Sequence, residues 1–210
     1  MMKLYYFPGN ASLCVHMLLE ELGAAYELVY VDRTQGAHKA ADYLALNPKG
    51  LIPTLVDGDL VLTETAAILL HLCDKFERFA PPFASNERAQ FYKWLMYLTN
   101  TIQAEMIVYF YPDRWAKGAA TAEVKANAEA KLAGCFDLIE AQLARHGGPY
   151  LLGNTFTALD PFLWMLCRWS RGMQRPARTL PHIAKFLAGM DARPAIARAY
   201  EQEKLGEPRY

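Results

Sequence analysis

The chain has 210 residues and a mass of 23.7 kDa, with 22 basic and 22 acidic residues, a formal net charge of zero and a pI near 7.0. That balance excludes a binder working by phosphate neutralisation, which needs a basic excess, and no run approaches the roughly 20 apolar residues of a membrane span. At 53% hydrophobic, the chain suits one large domain or two small ones, each with its own core.

Short strand and helix signals alternate over the first 80 or so residues. "KLYYF" is β-rich. "SLCVHMLLEELG" sets Leu13, Val15, Leu18, Leu19 and Leu22 on a helical stripe that ends at Gly23. "YELVYVD" is a second strand, and "AADYLALNPKG" a short helix closed by Asn-Pro and Gly. "IPTLVDGDLVLTE" reads as a hairpin turning at Asp57-Gly58, followed by the helix "TAAILLHLCDKF". The order is β-α-β-α-β-β-α, and its opening β-α-β requires a parallel, right-handed crossover. "FAPPFASNE" then interrupts with paired prolines. Everything beyond reads as helix: "ERAQFYKWLMYLTNTIQAEMIVYFY", the amphipathic "TAEVKANAEAKLAGCFDLIEAQLARHGG", the apolar and hence central "TALDPFLWMLCRWSRGM", then "PHIAKFLAGMDA" and "PAIARAYEQEK". The expected organisation is an α/β domain over 1–79, a linker over 80–86 and an all-helical domain over 87–210.

Cys14, Cys73, Cys135 and Cys167 lie far apart among apolar neighbours, with no C-x-x-C pair, and the five histidines are scattered. Reduced, mostly buried thiols and no metal site are the expectation. "MMKLYYFPGNASL" lacks the apolar stretch of a secretion signal, so the expected location is cytoplasmic.

"GAHKAADYLALNPKGLIPTLVDGDLVLTETAAILLHL" resembles the glutathione-binding half of soluble glutathione transferases, and "YLLGNTFTALD" with "DARPAIARAY" resembles segments of their helical half. "KLYY", "GNASL" and "YLALNPKG" are similar to the bacterial Beta class, and "GAHK" to the Phi or Theta class. The resemblance implies a thioredoxin-like N-terminal domain, an all-α C-terminal domain and a homodimer. It also implies glutathione as co-substrate and a small hydrophobic electrophile as acceptor.

In such a protein the bond before Pro53 is cis, and the Ile52 backbone pairs like a strand edge with the cysteinyl unit of glutathione. Glu64 and Thr65 meet the γ-glutamyl group at a helix N-terminus, where free N–H groups and the dipole favour a carboxylate. His38 and Lys39 match a position contacting the glycine carboxylate, while Leu51 stands where relatives often carry Gln or Lys. Read alone, Pro53 is an edge-strand proline, Thr65 a helix cap, and His38-Lys39 a solvated loop pair.

The chemistry requires a thiolate, so a donor is expected between the first strand and the next helix. Three residues qualify: Ser12, which is the first choice, Asn10, and Tyr6 in "YYFPG". Each has an ordinary structural role open to it, a helix cap for the first two and core packing for Tyr6. Ala11 stands where the Beta class has its cysteine, and Cys14 is like a buried second cysteine without a partner. Tyr109, Phe110, Tyr111 and Trp115 are aromatic residues able to line an acceptor pocket. Gln103 lies near a position where Beta-class relatives carry histidine. Thr157 to Asp160 reads as a T-x-x-D capping box, with the Thr hydroxyl accepting the N3 amide and the Asp reaching back, and Pro161 falls at N4. Glutathione-dependent reduction, isomerisation of a small acid and a non-catalytic interaction role are the rival functions. A reductase wants a cysteine at Ala11, and the isomerase branch an "SSCS"-type run.

Overall fold

The computed structural model describes residues 1–210 in two compact units. The first comprises Met1–Ala80 together with Asp191–Gly206, and the second Pro81–Met190 with Glu207–Tyr210. The division falls inside the proline-rich linker. The surprise is the return of residues 191–206 to the N-terminal unit, where the sequence pattern had grouped them with the helical domain.

In the first unit, β1 (Met2–Tyr6), β2 (Tyr26–Tyr30), β3 (Thr54–Asp57) and β4 (Leu60–Thr63) form one sheet in the order β2-β1-β3-β4. β1 and β2 are parallel, while β3 runs antiparallel to both β1 and β4. Leu4 pairs with Leu28 on one side and Leu55 on the other, and Leu4 and Leu55 are fully buried. The hairpin turns at Gly58 and Asp59, between the paired Asp57 and Leu60, one residue later than the sequence suggested. Gly58 has φ +63°, which glycine adopts without a Cβ penalty.

Helix α1 (Ser12–Leu22) is buried along almost its whole length and stops at Gly23, which has φ +63°. α2 spans Ala41–Leu46 and α3 spans Thr65–Phe76. The C-terminal helix, which becomes α9 in chain order, covers Pro194–Gln202 and packs on α1. Arg193 holds Glu21 by a two-pronged contact of 2.6 and 2.7 Å, and Arg198 reaches Glu20 at 2.7 Å. α9's apolar face (Ala195, Ile196, Ala199, Tyr200) is buried, so both faces of the pairing are specified.

The second unit contains α4 (Asn86–Met96), α5 (Ala104–Phe110), α6 (Ala120–His146), α7 (Leu159–Trp169) and α8 (Pro181–Asp191). The sequence reads α4 and α5 as one helix. A π-helical stretch over Tyr97–Gln103 separates them, where Thr99, Asn100 and Thr101 cluster poor helix formers. Every residue of α7 is buried, as its apolar pattern requires.

The start of α7 differs from the expected box. The helix begins at Leu159, so Pro161 sits at N3 among amides that have no intrahelical partner, and no helical bond is lost. Asp160 does reach back, accepting the Thr157 N–H at 2.7 Å, and it also accepts the Leu151 N–H at 2.9 Å. The Thr157 hydroxyl turns to Asp160 (3.2 Å) instead of capping. A buried carboxylate takes all the donors it can find, and the hydroxyl is one of them.

All four cysteines are free, with Cys14, Cys73 and Cys167 buried and Cys135 partly exposed. Burial pushes the Cys14 and Cys167 thiols up, away from reactivity. No helix is long and apolar enough to cross a membrane.

Candidate active site

Strand register gathers the singled-out residues of the first unit at one end of the sheet. Tyr6 is the last residue of β1 and pairs with Tyr30, the last of β2. Tyr5 pairs with Thr54, the first residue of β3, and Thr54 with Thr63, the last of β4. The segments 7–11, 31–36, 51–53 and 64–65 therefore all leave or enter at the C-terminal ends of the parallel strands, where open α/β sheets form their clefts.

The first of these loops is held by its own backbone. Asn10 N–H donates to the Phe7 carbonyl at 3.1 Å, and the Ser12 hydroxyl donates to the same carbonyl at 3.3 Å. Ser12 is fully buried, whereas Asn10 is partly exposed. Gly9 has φ +70°, and its N–H donates to Glu203 Oε2 at 2.8 Å. Glu203 Oε1 lies 3.0 Å from His16 Nδ1, and Gln202 Oε1 lies 2.6 Å from His16 Nε2. The end of α9 thus fixes the loop from beneath. The Tyr6 ring packs against Tyr30 and His16, and its hydroxyl titrates above the usual tyrosine range because of burial, then the charge of Glu203.

Arg33 Nη1 hydrogen-bonds to Asn10 Oδ1, joining the loop after β2 to the loop after β1. Beside it, the short 3-10 turn Ala37–Lys39 carries His38, whose imidazole is held below its usual pKa by burial and then by the charges of Arg33 and Lys39. His38 Nδ1 is buried without a hydrogen-bond partner. This turn rests on Gly50, which has φ +60°, and a Cβ there would lie 2.7 Å from the His38 carbonyl oxygen. Only glycine fits.

Two bonds orient the next segment. The Leu51 carbonyl accepts from Tyr43 Oη at 2.6 Å and from Asn47 Nδ2 at 2.7 Å. The Ile52–Pro53 bond is cis, as expected, and Ile52 lies just beyond the last β1–β3 pair. Leu51 is 53% exposed, an apolar side chain where a polar contact was in question. Glu64 precedes α3 with φ +70° and ψ +115°, a conformation that costs an L-residue of order 1–3 kcal/mol. Thr65, the first residue of α3, is buried, and Glu64 is exposed and paired with Lys49.

Residues 1–74 match the family model for the glutathione S-transferase N-terminal domain, and residues 122–202 match a model for the C-terminal domain. Glutathione S-transferase GstA of Escherichia coli O157:H7 is 33% identical over 208 residues, covering 97% of this chain and 100% of that protein. Glutathione S-transferase 3 of Zea mays is 35% identical over 219 residues, covering 99% and 96%. A Sulfitobacter glutathione transferase homologue solved with bound glutathione superposes with a TM-score of 0.87 at 32% identity, covering 98% of this chain and 99% of that one. The chain belongs to the glutathione S-transferase family.

As a glutathione transferase it carries three site features that its sequence did not single out. Lys49 bridges Thr63 Oγ1 (3.3 Å) and the Glu64 carboxylate. Arg33 engages Asn10, and Glu203 anchors Gly9. Hydrogen bonds join Arg33 to Asn10, Lys39 Nζ to the Lys49 carbonyl at 3.3 Å, and Lys49 to Glu64, while the charge of Arg33 acts on His38. A basic residue beside a glycine in "NPKG" was the one available signal. The partners of Arg33 and Glu203 lie on other elements, which no local pattern reveals.

The aromatic residues of the second unit divide. Tyr109 is buried, with its hydroxyl given to the Gly172 carbonyl at 3.2 Å, and behaves as core. Tyr111 is partly exposed beneath the Arg114 guanidinium at 4.2 Å, Trp115 is 54% exposed, and Phe110 stands edge-on to Trp169. A cavity of about 640 Å³ lies elsewhere in this unit, along α4, the π-helical stretch and α6. It contains none of the residues singled out from the sequence.

Proposed function

We propose that this end of the sheet binds glutathione, lowers the pKa of its thiol and directs the thiolate at a small apolar electrophile. The observation that carries the reading is the convergence of the Asn10 loop, Ile52 beyond the ladder, and the Glu64–Thr65 helix start through a single strand register. The Ile52 backbone takes the cysteinyl unit, the α3 N-terminus and Thr65 the γ-glutamyl carboxylate, Glu64 its ammonium, and His38 with Lys39 the glycine carboxylate. The strain at Glu64 supports a binding role, since such backbone geometry gathers at ligand clamps.

Among Asn10, Ser12 and Tyr6 we place Asn10 first as thiolate donor. Its amide is partly exposed, whereas the Ser12 hydroxyl is buried and engaged with Phe7. A free thiol of pKa about 8.5 is only about 3% ionised at pH 7. Lowering it by two units requires about 2.7 kcal/mol of selective anion stabilisation. Ala11 leaves no thiol for disulfide exchange at this position, which favours conjugation over reduction. Tyr111 and Trp115 are proposed to contact the electrophile, with Tyr109 supporting them from the core.

The protein is further proposed to act in the cytoplasm as a homodimer. Met96 and Leu138 expose 43% and 57% of their surfaces along the α4–α6 cavity, an apolar surface of the kind a partner copy covers.

Ultraviolet titration of bound glutathione, together with turnover of an activated aryl halide, tests the reading. The bound thiol is expected to ionise about two units below the free one, and Asn10→Ala to move it further up than Ser12→Ala or Tyr6→Phe. A thiol that titrates as free glutathione despite saturation would remove the catalytic assignment.

A further inference from the structure

Asn10 poses an orientation problem. Its amide has a donor end and an acceptor end of nearly equal shape, and only the donor end stabilises a thiolate. Its own loop favours one orientation only weakly. The Nδ2 contact to the Pro8 carbonyl is 3.4 Å, at the edge of hydrogen-bonding range.

Arg33 decides it. A guanidinium has donors only, so whatever end of the amide meets it must be the oxygen. Arg33 Nη1 meets Oδ1, and of the two N–H donors at the other end one takes the long contact to Pro8 while the second is left for a ligand. The guanidinium also withdraws density from that oxygen, which makes the opposite N–H a stronger donor. We infer that Arg33 is a positioning residue for the transferase reaction, fixing the Asn10 amide so that its N–H faces the glutathione sulfur. The inference rests on the proposed glutathione reading and adds a residue to it.

The base of Arg33 is itself built to stay put. Val31 N–H donates to the Tyr6 carbonyl at 2.9 Å, pinning the end of β2 to the end of β1. The Asp32 carboxylate then accepts the Thr34 N–H at 2.9 Å, the Thr34 hydroxyl at 2.6 Å and the Gln35 N–H at 3.3 Å. Those bonds close a tight turn around Arg33, and Gly36 N–H completes it by donating to the Arg33 carbonyl at 3.2 Å. The side chain crosses to Asn10 from a rigid platform. The charge of Arg33 acts on the neighbouring His38 imidazole, and Glu203 reaches the Asn10 loop through Gly9.

The test compares Arg33→Ala, Arg33→Lys, Asn10→Ala and the Arg33→Ala/Asn10→Ala double variant by ultraviolet titration of bound glutathione and by calorimetric Kd. Arg33→Ala is expected to raise the thiol midpoint by about half a unit to one unit. Its Kd is expected to change by less than about fivefold, because a partly exposed charge contributes little to affinity alone. Arg33→Lys, still donor-only and charged, is expected to restore most of the shift. The double variant is expected to fall short of the sum of the singles, since Arg33 acts through Asn10. A merely structural residue would alter Kd and stability together and leave the midpoint in place. If Asn10→Ala raises the midpoint and Arg33→Ala does not, the inference is overturned while the glutathione reading stands. If neither moves it and Ser12→Ala or Tyr6→Phe does, the donor assignment fails and the inference falls with it. Should Arg33→Ala not fold, Arg33→Met keeps the apolar stem, removes charge and donors, and faces the same criteria.

Discussion

Gly9 donates its backbone N–H to the carboxylate of Glu203, 194 positions away in the chain, at 2.8 Å. The same carboxylate meets His16 at 3.0 Å, and the Glu203 and His16 side chains are both fully buried. One C-terminal residue therefore holds both the entrance loop of α1 and α1 itself. Glu203→Ala takes the carboxylate from the buried His16 ring, worth about 1–3 kcal/mol, and from the partly buried Gly9 N–H, worth about 0.5–1.5 kcal/mol or more. A loss of about 2–5 kcal/mol in urea unfolding is expected. A change below about 1 kcal/mol would show that water replaces the carboxylate and that the C-terminal helix does not brace the loop.

The sequence made one half of this anchor visible and concealed the other. Apolar spacing in "PAIARAYEQEK" announces an amphipathic helix with a face to bury. Periodicity says nothing about which partner receives that face, and chain order suggests the neighbouring helices instead. The same asymmetry governs the site. Ile52-Pro53 and Glu64-Thr65 are local signals, because a strand register and a helix start are set by adjacent residues. Arg33 reads as one more charge in a polar loop until the sheet brings β1 and β2 side by side. Ser12, the first choice from sequence, illustrates a different limit. A hydroxyl at a helix start is equally suited to a ligand and to a nearby carbonyl, and here the Phe7 carbonyl takes it.

In the second unit, the Glu140 carboxylate on α6 caps α8, accepting the His182 and Ile183 N–H groups at 2.9 Å each and facing His182 Nδ1 at 2.7 Å. Burial raises its pKa, but the bonds from His182 and Ile183 outweigh that and hold it below the usual glutamate value. A carboxyl with a depressed folded pKa contributes stability above its unfolded value and loses it as pH falls through the folded one. Glu140→Gln is expected to lower stability by about 1–2 kcal/mol at pH 7. The difference from the parent is expected to shrink below about pH 4.3. Unfolding curves across pH 3–7 check both the size and the window. A difference that persists unchanged at pH 3 would mean the charge is irrelevant to the cap.

The proposed homodimer predicts a solution mass of about 47 kDa, twice the chain's 23.7 kDa. Leu138→Glu places a charge on a residue that is 57% exposed along the α4–α6 cavity. As a surface change it is expected to leave monomer stability within about 0.5 kcal/mol. In an interface the same charge is desolvated, and dissociation toward the single-chain mass is expected in light scattering at micromolar concentration. A parent mass near that of one chain would remove the dimer, and an unaffected Leu138→Glu dimer would place its interface elsewhere.

Glu64 separates binding from stability more cleanly than any other site residue. Its φ of +70° is unfavourable for an L-residue and acceptable for glycine. Its ion pair with Lys49 joins two exposed side chains and contributes little to folding. Glu64→Gly therefore relieves backbone strain and is expected to hold or raise stability, by up to about 1 kcal/mol. The same change removes the carboxylate proposed to take the glutathione ammonium. Loss of a hydrogen bond to a charged group is worth about 1.5–3 kcal/mol, so affinity is expected to fall about 10- to 150-fold. Thr65→Ala is expected to weaken glutathione in the same direction without the gain in stability, because its backbone is already helical. Calorimetry gives the affinities and thermal unfolding gives the stabilities on the same samples. A Glu64→Gly protein that binds glutathione as tightly as the parent would move the γ-glutamyl site away from the start of α3, whatever its melting temperature.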